Sequence, residues 1–149
     1  ILGEPAGVYA DLRRLNPVIA GEDAGFIVLD YPGGQRGLFD GNRLSDHQAE
    51  DRRRSMGEMW IEGEHATLRI DGEGRLWLRD FGSNIEKQHA FEWSNRHFGG
   101  DCVYLSCKQY LNAFMSGEEH PTEARRYLQN LRIEEAVYAS AEAGARVSL

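Results

Sequence analysis

The sequence predicts an α+β fold in which a mostly antiparallel β-sheet is followed by two long helices. Short segments that alternate in polarity or run apolar fill the chain as far as Trp93, and tight-turn sequences separate them. Two longer segments with helical periodicity follow. The chain has 149 residues, which is the length of one domain, so we treat residues 1–149 as a single α+β domain.

A hairpin is predicted near the start of the chain. Residues 7–12 alternate as a strand does, and residues 25–31 are almost continuously apolar, which in a sheet means that both faces are covered. Pro32-Gly33-Gly34-Gln35 supplies a turn, and residues 36–39 return as the next strand. Residues 45–55 are polar and charged, and they predict a surface excursion or a short helix.

A meander of further strands is predicted in the middle of the chain. These strands cover residues 56–62, 66–70, 75–81 and 85–93. Gly63-Glu64-His65 and Asp71-Gly72-Glu73-Gly74 separate the first three, and both are tight-turn sequences. Consecutive strands joined in this way pair in antiparallel fashion.

Two tryptophans on this meander stand among charged side chains. Trp60 lies between two glutamates, and Trp77 lies between two arginines. Trp and Arg together are typical of interface centres, whereas a solvated sheet face rarely carries two tryptophans. The predicted partner surface comprises Trp60, Trp77, Arg75, Arg79 and Phe81. The alternative is that long charged stems merely cover isolated rings.

Two helices close the chain. They are predicted over residues 101–116 and 122–143, and they end at Gly117 and Gly144. Asp101 and Thr122 are the expected N-caps, because short polar side chains accept hydrogen bonds from first-turn amides. The second helix is apolar on two sides, which predicts packing on two sides. Residues 147–149 then add a short closing strand.

The loop before the first helix resembles a phosphate or metal site only superficially. Gly99-Gly100-Asp101 leads into the helix, but the carboxylate of Asp101 would repel an anion there. Neither GxGxxG nor GxxxxGK[ST] occurs in the chain, and the histidines show no HExxH spacing. Cys102 and Cys107 lie about 140° apart around one helix. We therefore predict core cysteines, no metal site and no cofactor site in this chain.

Composition excludes several other classes. The formal charge of −7 argues against nucleic-acid binding, which needs clustered Lys and Arg. No apolar run approaches the ~20 residues of a membrane span, and the N-terminus is not a signal peptide. Two cysteines in a chain of this length do not make a disulfide framework. The expected location is cytoplasmic.

Two polar pairs are the candidate substrate contacts. Asn42 and Arg43 follow an apolar strand, at a place where a sheet edge could meet a ligand, although the same residues also suit a turn. Arg96 and His97 precede a helix start and could reach an anionic or polyhydroxyl substrate. The alternative for this second pair is a solvated loop without a ligand.

Three long segments resemble a known family. They are Leu-Gly-Glu-Pro-Ala-Gly-Val-Tyr-Ala at residues 2–10, the stretch from Met59 to Gly74, and residues 130–147. Together they resemble the C-terminal domain of the Gfo/Idh/MocA oxidoreductases, which are named for glucose-fructose oxidoreductase and inositol dehydrogenase. The most specific piece is Ala-Val-Tyr at 136–138, followed by Ser140 and a closing Gly-x-x-Val.

The resemblance implies a function that this chain cannot perform alone. Family members use NAD or NADP to oxidise or reduce sugars, polyols and related carbonyl compounds. Their cofactor site and catalytic Glu-Lys-Pro segment lie in an N-terminal Rossmann domain, which this sequence lacks. Glu86-Lys87-Gln88 has no proline and falls in a predicted strand, so we reject it as the catalytic segment. Hydride transfer needs a bound nicotinamide and a proton donor, so the chain alone is expected to be inert.

The same resemblance implies where partners bind. Family members pack two long helices on one face of an open, mostly antiparallel sheet, and the other face packs against a second subunit. Trp60 and Trp77 would then lie in a homo-oligomer contact, and Arg96 and His97 would lie near the substrate. The competing interpretation is a stand-alone, non-catalytic α+β module that holds a small ligand or a protein partner.

Overall fold

The computed structural model describes residues 2–43, 45–94, 96 and 100–149. The strands are β1 (Gly7–Arg13), β2 (Ala24–Asp30), β3 (Arg36–Asn42), β4 (Met59–Glu62), β5 (Ala66–Ile70), β6 (Leu76–Asp80), β7 (Lys87–His89) and β8 (Val147–Ser148). The helices are α1 (Cys102–Ser116) and α2 (Ala124–Ala143). The predicted α+β class and the antiparallel strand pairing are confirmed.

The strands form two sheets, whereas the sequence predicted one. β3-β2-β1-β8 make one four-stranded sheet, and β4-β5-β6-β7 make the other. Pairing joins strands linked by short turns, and a long charged segment, residues 43–58, separates β3 from β4. Backbone contacts likewise group the chain into Ile1–Ser45 with Pro121–Leu149, the first unit, and Asp46–His120, the second unit. That both units belong to one domain stays a prediction.

The core of the first unit lies between β1 and α2. Val8 and Ala10 alternate onto one face of β1 and are almost completely buried. Ala136 and Val137 of α2 pack against them, because small side chains on this strip of the helix allow close approach to the sheet. Leu128, on the other strip of α2, is half exposed, so the described residues cover this strip only in part.

The sheet of the second unit is a regular meander. Trp60 lies opposite Arg69, and Arg69 lies opposite Trp77, so these three side chains share one face. Leu68 and Ile70 belong to the other, apolar face, where they pair with residues of β4 and β6. β7 is shorter than the strand predicted over residues 85–93. Alternating polarity indicates which side chains share a face of a strand, but it does not show how many residues pair with a neighbouring strand.

Helix α1 differs from α2 in its environment. None of the described residues of α1 is buried, whereas α2 packs against β1 in the first unit. Cys102 and Cys107 are exposed, so the prediction of core cysteines is wrong. Helical periodicity indicates that one face of a helix is apolar and is expected to be buried. It does not specify which other residues bury that face.

The helix ends match the prediction in position and differ in chemistry. Gly117 and Gly144 adopt left-handed conformations and end the helices as expected. Asp101 precedes α1 with φ 66°, and its carboxylate makes no capping hydrogen bond. Glu123 precedes α2, where Thr122 was predicted. The Asp101 carboxylate instead accepts a hydrogen bond from the side chain of Arg96.

Candidate functional site

A cavity of about 560 Å³ lies beside α2 and within the first unit. Its described lining residues are Leu12, Glu22, Asp23, Ala24, Gly25, Ile27, Phe39, Gly41, Asn42, Arg43, Asn130, Ile133, Glu134, Val137 and Tyr138. A volume of this size is in the range of small-molecule sites. Asn42 and Arg43, which the sequence proposed as substrate contacts, are both part of the lining.

Glycines on neighbouring strands form the floor of the cavity. α2 covers β1, while the same sheet face continues over β2 and β3. Gly25 lies opposite Gly41 in the register, and Ile27 lies opposite Phe39. A Cβ atom on Gly25 would come within 2.5 Å of the Asp11 carbonyl oxygen, so only glycine fits the close approach. The bare backbone leaves room above it, and Phe39 supplies an aromatic surface at one side.

Tyr138 and Glu22 meet at the edge of this cavity. The hydroxyl of Tyr138, on α2, donates a hydrogen bond to Glu22 Oε1 at 2.6 Å. This bond lowers the pKa of Glu22 and raises the pKa of Tyr138. Glu22 belongs to the loop that enters β2, so the contact ties that loop to the helix. Glu22 therefore carries a negative charge at neutral pH and is held in a fixed place.

Asp23 organises the loops that bring the polar residues to the cavity. Its buried carboxylate accepts hydrogen bonds from the backbone N–H groups of Leu15, at 2.6 Å, and Asn16, at 2.8 Å. Its carbonyl oxygen accepts a hydrogen bond from the N–H of Arg43 at 2.8 Å. The last of these bonds holds the backbone of Arg43, just after β3, against the residue that precedes β2.

The second predicted pair lies in the other unit. Arg96 Nη2 donates to Asp101 Oδ2 at 2.8 Å, and Arg96 Nε donates to Ser94 Oγ at 2.9 Å. The Arg96 side chain is 74% exposed, whereas Asp101 is buried. Arg96 is thus held by the carboxylate that was expected to cap α1. His97 lies outside the described residues.

The two tryptophans enclose an arginine that the sequence analysis missed. The Arg69 guanidinium lies 5.5 Å from the ring centroids of both Trp60 and Trp77, which is cation–π distance. It also forms a bidentate ion pair with Glu86, in which Arg69 Nε donates to Oε1 at 3.1 Å and Arg69 Nη2 donates to Oε2 at 2.7 Å. This pair lowers the pKa of Glu86 and raises that of Arg69. Arg69 and the tryptophans are neighbours across strands, so no spacing along the chain reveals them.

A buried carboxylate anchors the other end of this stack. Asp71 Oδ2 accepts hydrogen bonds from Trp77 Nε1 and Arg75 Nε, each at 2.8 Å. Asp71 Oδ1 accepts from the backbone N–H groups of Glu73 and Arg75. Burial raises the pKa of Asp71, but the hydrogen bonds from Trp77 and Arg75 outweigh it, and the net shift is downward. Asp71 therefore holds Trp77 and Arg75 in place.

The remaining predicted interface residues stay accessible to solvent. Trp60 is 56% exposed, and Phe81, just after β6, is 85% exposed. Arg79 shares the side of β6 that carries Trp77. The exposed rings and the fixed arginines give this face a rigid, partly apolar surface, which is the composition that interface centres favour.

Neither a metal centre nor a membrane span emerges from the described part of the chain. Within residues 2–43, 45–94, 96 and 100–149, no three His, Cys, Asp or Glu side chains are arranged to hold a metal ion. In those same ranges, no helix has both the length and the apolar character that crossing a bilayer requires.

The curated relatives found by sequence comparison are both described as D-apiose dehydrogenases. No model of a known protein family matches the chain. Over its whole length the chain is 27% identical to a D-apiose dehydrogenase of Rhizobium rhizogenes, of which it covers 44%. It is 25% identical to a D-apiose dehydrogenase of Paraburkholderia graminis, of which it covers 40%. The chain thus spans less than half the length of the curated relatives that it matches.

The fold agrees with these sequence matches. An oxidoreductase from Agrobacterium radiobacter, solved in complex with NAD+, L-tartaric acid and magnesium, superposes with a TM-score of 0.79 and 26% identity. The match covers 99% of this chain and 44% of that one. Sequence and fold together identify the chain as a homologue of the Gfo/Idh/MocA-type oxidoreductases that corresponds to their C-terminal domain.

Proposed function

We propose that the chain is the substrate-binding and oligomerisation domain of an NAD(P)-dependent oxidoreductase that acts on a sugar, a polyol or a related carbonyl compound. The observation that carries this proposal is the 27% identity to a D-apiose dehydrogenase over the whole chain. The fold match to an oxidoreductase solved with NAD+ supports it. Catalysis then takes place only when this chain is joined to a cofactor-binding domain.

The two helix starts that the structure describes do not suit a dinucleotide. Pyrophosphate binds where a helix N-terminus presents free amides and no competing negative charge. Here an acidic residue precedes each helix, Asp101 before α1 and Glu123 before α2. The described helix ends thus do not fit the cofactor, and we assign NAD or NADP to the rest of the oxidoreductase.

The cavity of the first unit suits a polyhydroxyl compound. Ile27 and Phe39 offer an apolar surface to the C–H face of a sugar. Asn42 and Arg43 offer donors to its oxygen atoms, and the carboxylate of Glu22 accepts from its hydroxyl groups. In the second unit, Arg96 and His97 remain the proposed substrate contacts that the family resemblance implies.

The tryptophan face is the proposed contact of a homo-oligomer. Trp60 and Phe81 expose apolar surface on a sheet in which Arg69 and Arg75 are already paired, with Glu86 and Asp71 respectively. Association through this face removes the two rings from water without separating those pairs, and both effects favour binding. We also propose that the enzyme is cytoplasmic, where NAD and NADP are available as soluble cosubstrates.

Expression of the complete reading frame tests the proposed function. The complete protein should reduce NAD or NADP in the presence of a pentose, hexose or polyol, followed by NAD(P)H absorbance. Residues 1–149 expressed alone should show no turnover. The upstream frame should encode a GxGxxG strand-turn-helix and a Glu-Lys-Pro segment. A start codon close to Ile1 with no such motifs would favour the stand-alone binding module.

A further inference from the structure

The cavity of the first unit is lined by more negative than positive side chains. Glu22, Asp23 and Glu134 contribute three carboxylates, and Arg43 is the basic residue among the described lining residues. The carboxylate of Asp23 is buried and is occupied by two backbone N–H groups. Glu22 and Glu134 are therefore the two carboxylates that remain to act on a ligand.

Both carboxylates belong to the part of the cavity lining near Tyr138. Glu22 accepts the Tyr138 hydrogen bond, and Glu134 lies one helical turn before Tyr138 on α2. The hydrogen bond and charge of Glu22, together with the charge of Glu134, raise the pKa of Tyr138. Both carboxylates thus act at the same end of the cavity, from the loop on one side and the helix on the other.

Negative charge at this place treats neutral and anionic ligands differently. A hydroxyl group donates a hydrogen bond to a carboxylate, so a neutral polyol gains contacts there. A phosphate or carboxylate group brings no donor at neutral pH and is repelled by both glutamates. The positive charge of Arg43 offsets part of that repulsion, but it is outnumbered by the negative charges of the two glutamates. The apolar floor around Phe39 offers no charged group a partner.

We propose that this cavity selects neutral polyhydroxy compounds and that Glu22 and Glu134 are the residues that exclude phosphorylated and carboxylated ones. The inference rests on the proposed function, since it narrows the substrate class of the same site. Tyr138 is the positioning residue, because its hydroxyl holds the Glu22 carboxylate at the cavity edge.

Matched pairs of sugars test the selection directly. Affinities of the complete protein are measured by calorimetry for D-ribose against D-ribose 5-phosphate, and for D-xylose against D-xylonate. The neutral member of each pair should bind about tenfold more tightly than its anion. In the double variant Glu22→Gln/Glu134→Gln the gap should shrink to about twofold, because glutamine keeps the hydrogen-bond acceptor and removes the charge.

Glu135→Gln is the matched control. Glu135 is the next residue on α2, but it lies on the groove at the opposite flank of the helix. The control removes the same charge and should leave the gap at about tenfold. A salt titration gives a second readout, since added salt should narrow the gap in the parent protein and in Glu135→Gln, and should barely affect the double variant.

The outcomes separate this inference from the proposed function. Three outcomes would overturn the inference. The anions bind as tightly as the neutral sugars, the double variant leaves the difference in affinity unchanged, or none of the four compounds binds. If the complete protein still reduces NAD(P) with a sugar in those cases, the proposed function is retained and only the selectivity inference is rejected. Selective binding without any reduction by the complete protein would support the inference and contradict the proposed oxidoreductase.

Discussion

The buried hydroxyl of Ser140 accepts a hydrogen bond from the backbone N–H of Ala10 at 2.9 Å, and it donates one to the carbonyl oxygen of Ala145 at 2.6 Å. β8 pairs with Gly7 and Val8 of β1. Beyond that pairing, the Ser140 side chain accepts the hydrogen bond of the Ala10 N–H in place of a strand partner. One hydroxyl thus joins the last helix to the first strand and to the turn that follows the helix.

Replacing Ser140 should destabilise the first unit. Ser140→Ala leaves the N–H of Ala10 without its partner in a region where both residues are almost fully buried. We expect a loss of about 1–3 kcal/mol in the free energy of unfolding, which is the cost of an unsatisfied buried donor. Urea unfolding followed by circular dichroism measures it. Ser116→Ala, at an exposed end of α1, should change stability by less than about 0.5 kcal/mol, and equal losses in both variants would contradict the role of Ser140.

Asp71 should make the second unit sensitive to acid. Its pKa in the folded protein is lowered, so its stabilising effect is fully present above the unfolded value of about 3.9. The effect is lost as the pH falls through the lower, folded pKa. Asp71→Asn should therefore be less stable than the parent protein at neutral pH, and the difference should shrink below about pH 4.

Two measurements check the prediction for Asp71. Urea midpoints of the parent protein and Asp71→Asn are compared at several pH values, so that other titrating groups cancel. The indole N–H resonance of Trp77 should also shift as Asp71 protonates, because that N–H donates to the carboxylate. Asp46→Asn, an exposed aspartate, serves as the control. A stability difference that does not change with pH would contradict the assignment.

The tryptophan face should control association. Trp60→Ala/Trp77→Ala should weaken self-association by about 30-fold or more, the effect of losing an interface centre. Sedimentation at several concentrations measures it. Trp93→Ala removes a third tryptophan that is 52% exposed and lies outside the strands, and it should leave the mass unchanged. If the double variant unfolds, Trp60→Ala alone still tests the contact, and an unchanged mass in a folded variant would exclude this interface.

Gly25 should not tolerate a side chain. In Gly25→Ala the new Cβ atom would lie 2.5 Å from the carbonyl oxygen of Asp11 and 3.0 Å from the Leu12 side chain. Because the nearest atom belongs to the backbone, relief requires a strand shift, and we expect a loss of about 1–3 kcal/mol. Gly21→Ala meets no heavy atom within 4 Å and should be nearly neutral. Similar melting temperatures for the two variants would show that the strands are less closely packed.

Local patterns were sufficient for most of the secondary structure. Turn glycines and alternation placed β1, β2, β5 and β6 almost to the residue, and Gly117 and Gly144 marked the helix ends. These features depend on backbone conformation and on residues close in sequence, so they can be read from one chain. Asn42 and Arg43 were selected for the same reason, as polar residues that end an apolar strand.

The missed residues act across strands or between a loop and a helix. Arg69 looked like one more charged strand residue, yet it lies between two tryptophans because of the register of β4, β5 and β6. Glu22 and Tyr138 are 116 positions apart, and nothing near either of them marks the other. A glycine pair on neighbouring strands, such as Gly25 and Gly41, was the one available hint of a cavity floor.

The sequence by itself determined the α+β class, the turns, the helix boundaries and the kinship with Gfo/Idh/MocA-type oxidoreductases, because periodicity, turn chemistry and similarity to relatives are all properties of the linear chain. Only the tertiary structure decided that the strands divide into two sheets, that α2 is packed while α1 is exposed, and that a net-negative cavity forms beside α2. Those features depend on which distant groups come into contact, and contact energies between residues far apart in sequence leave no periodic pattern along it.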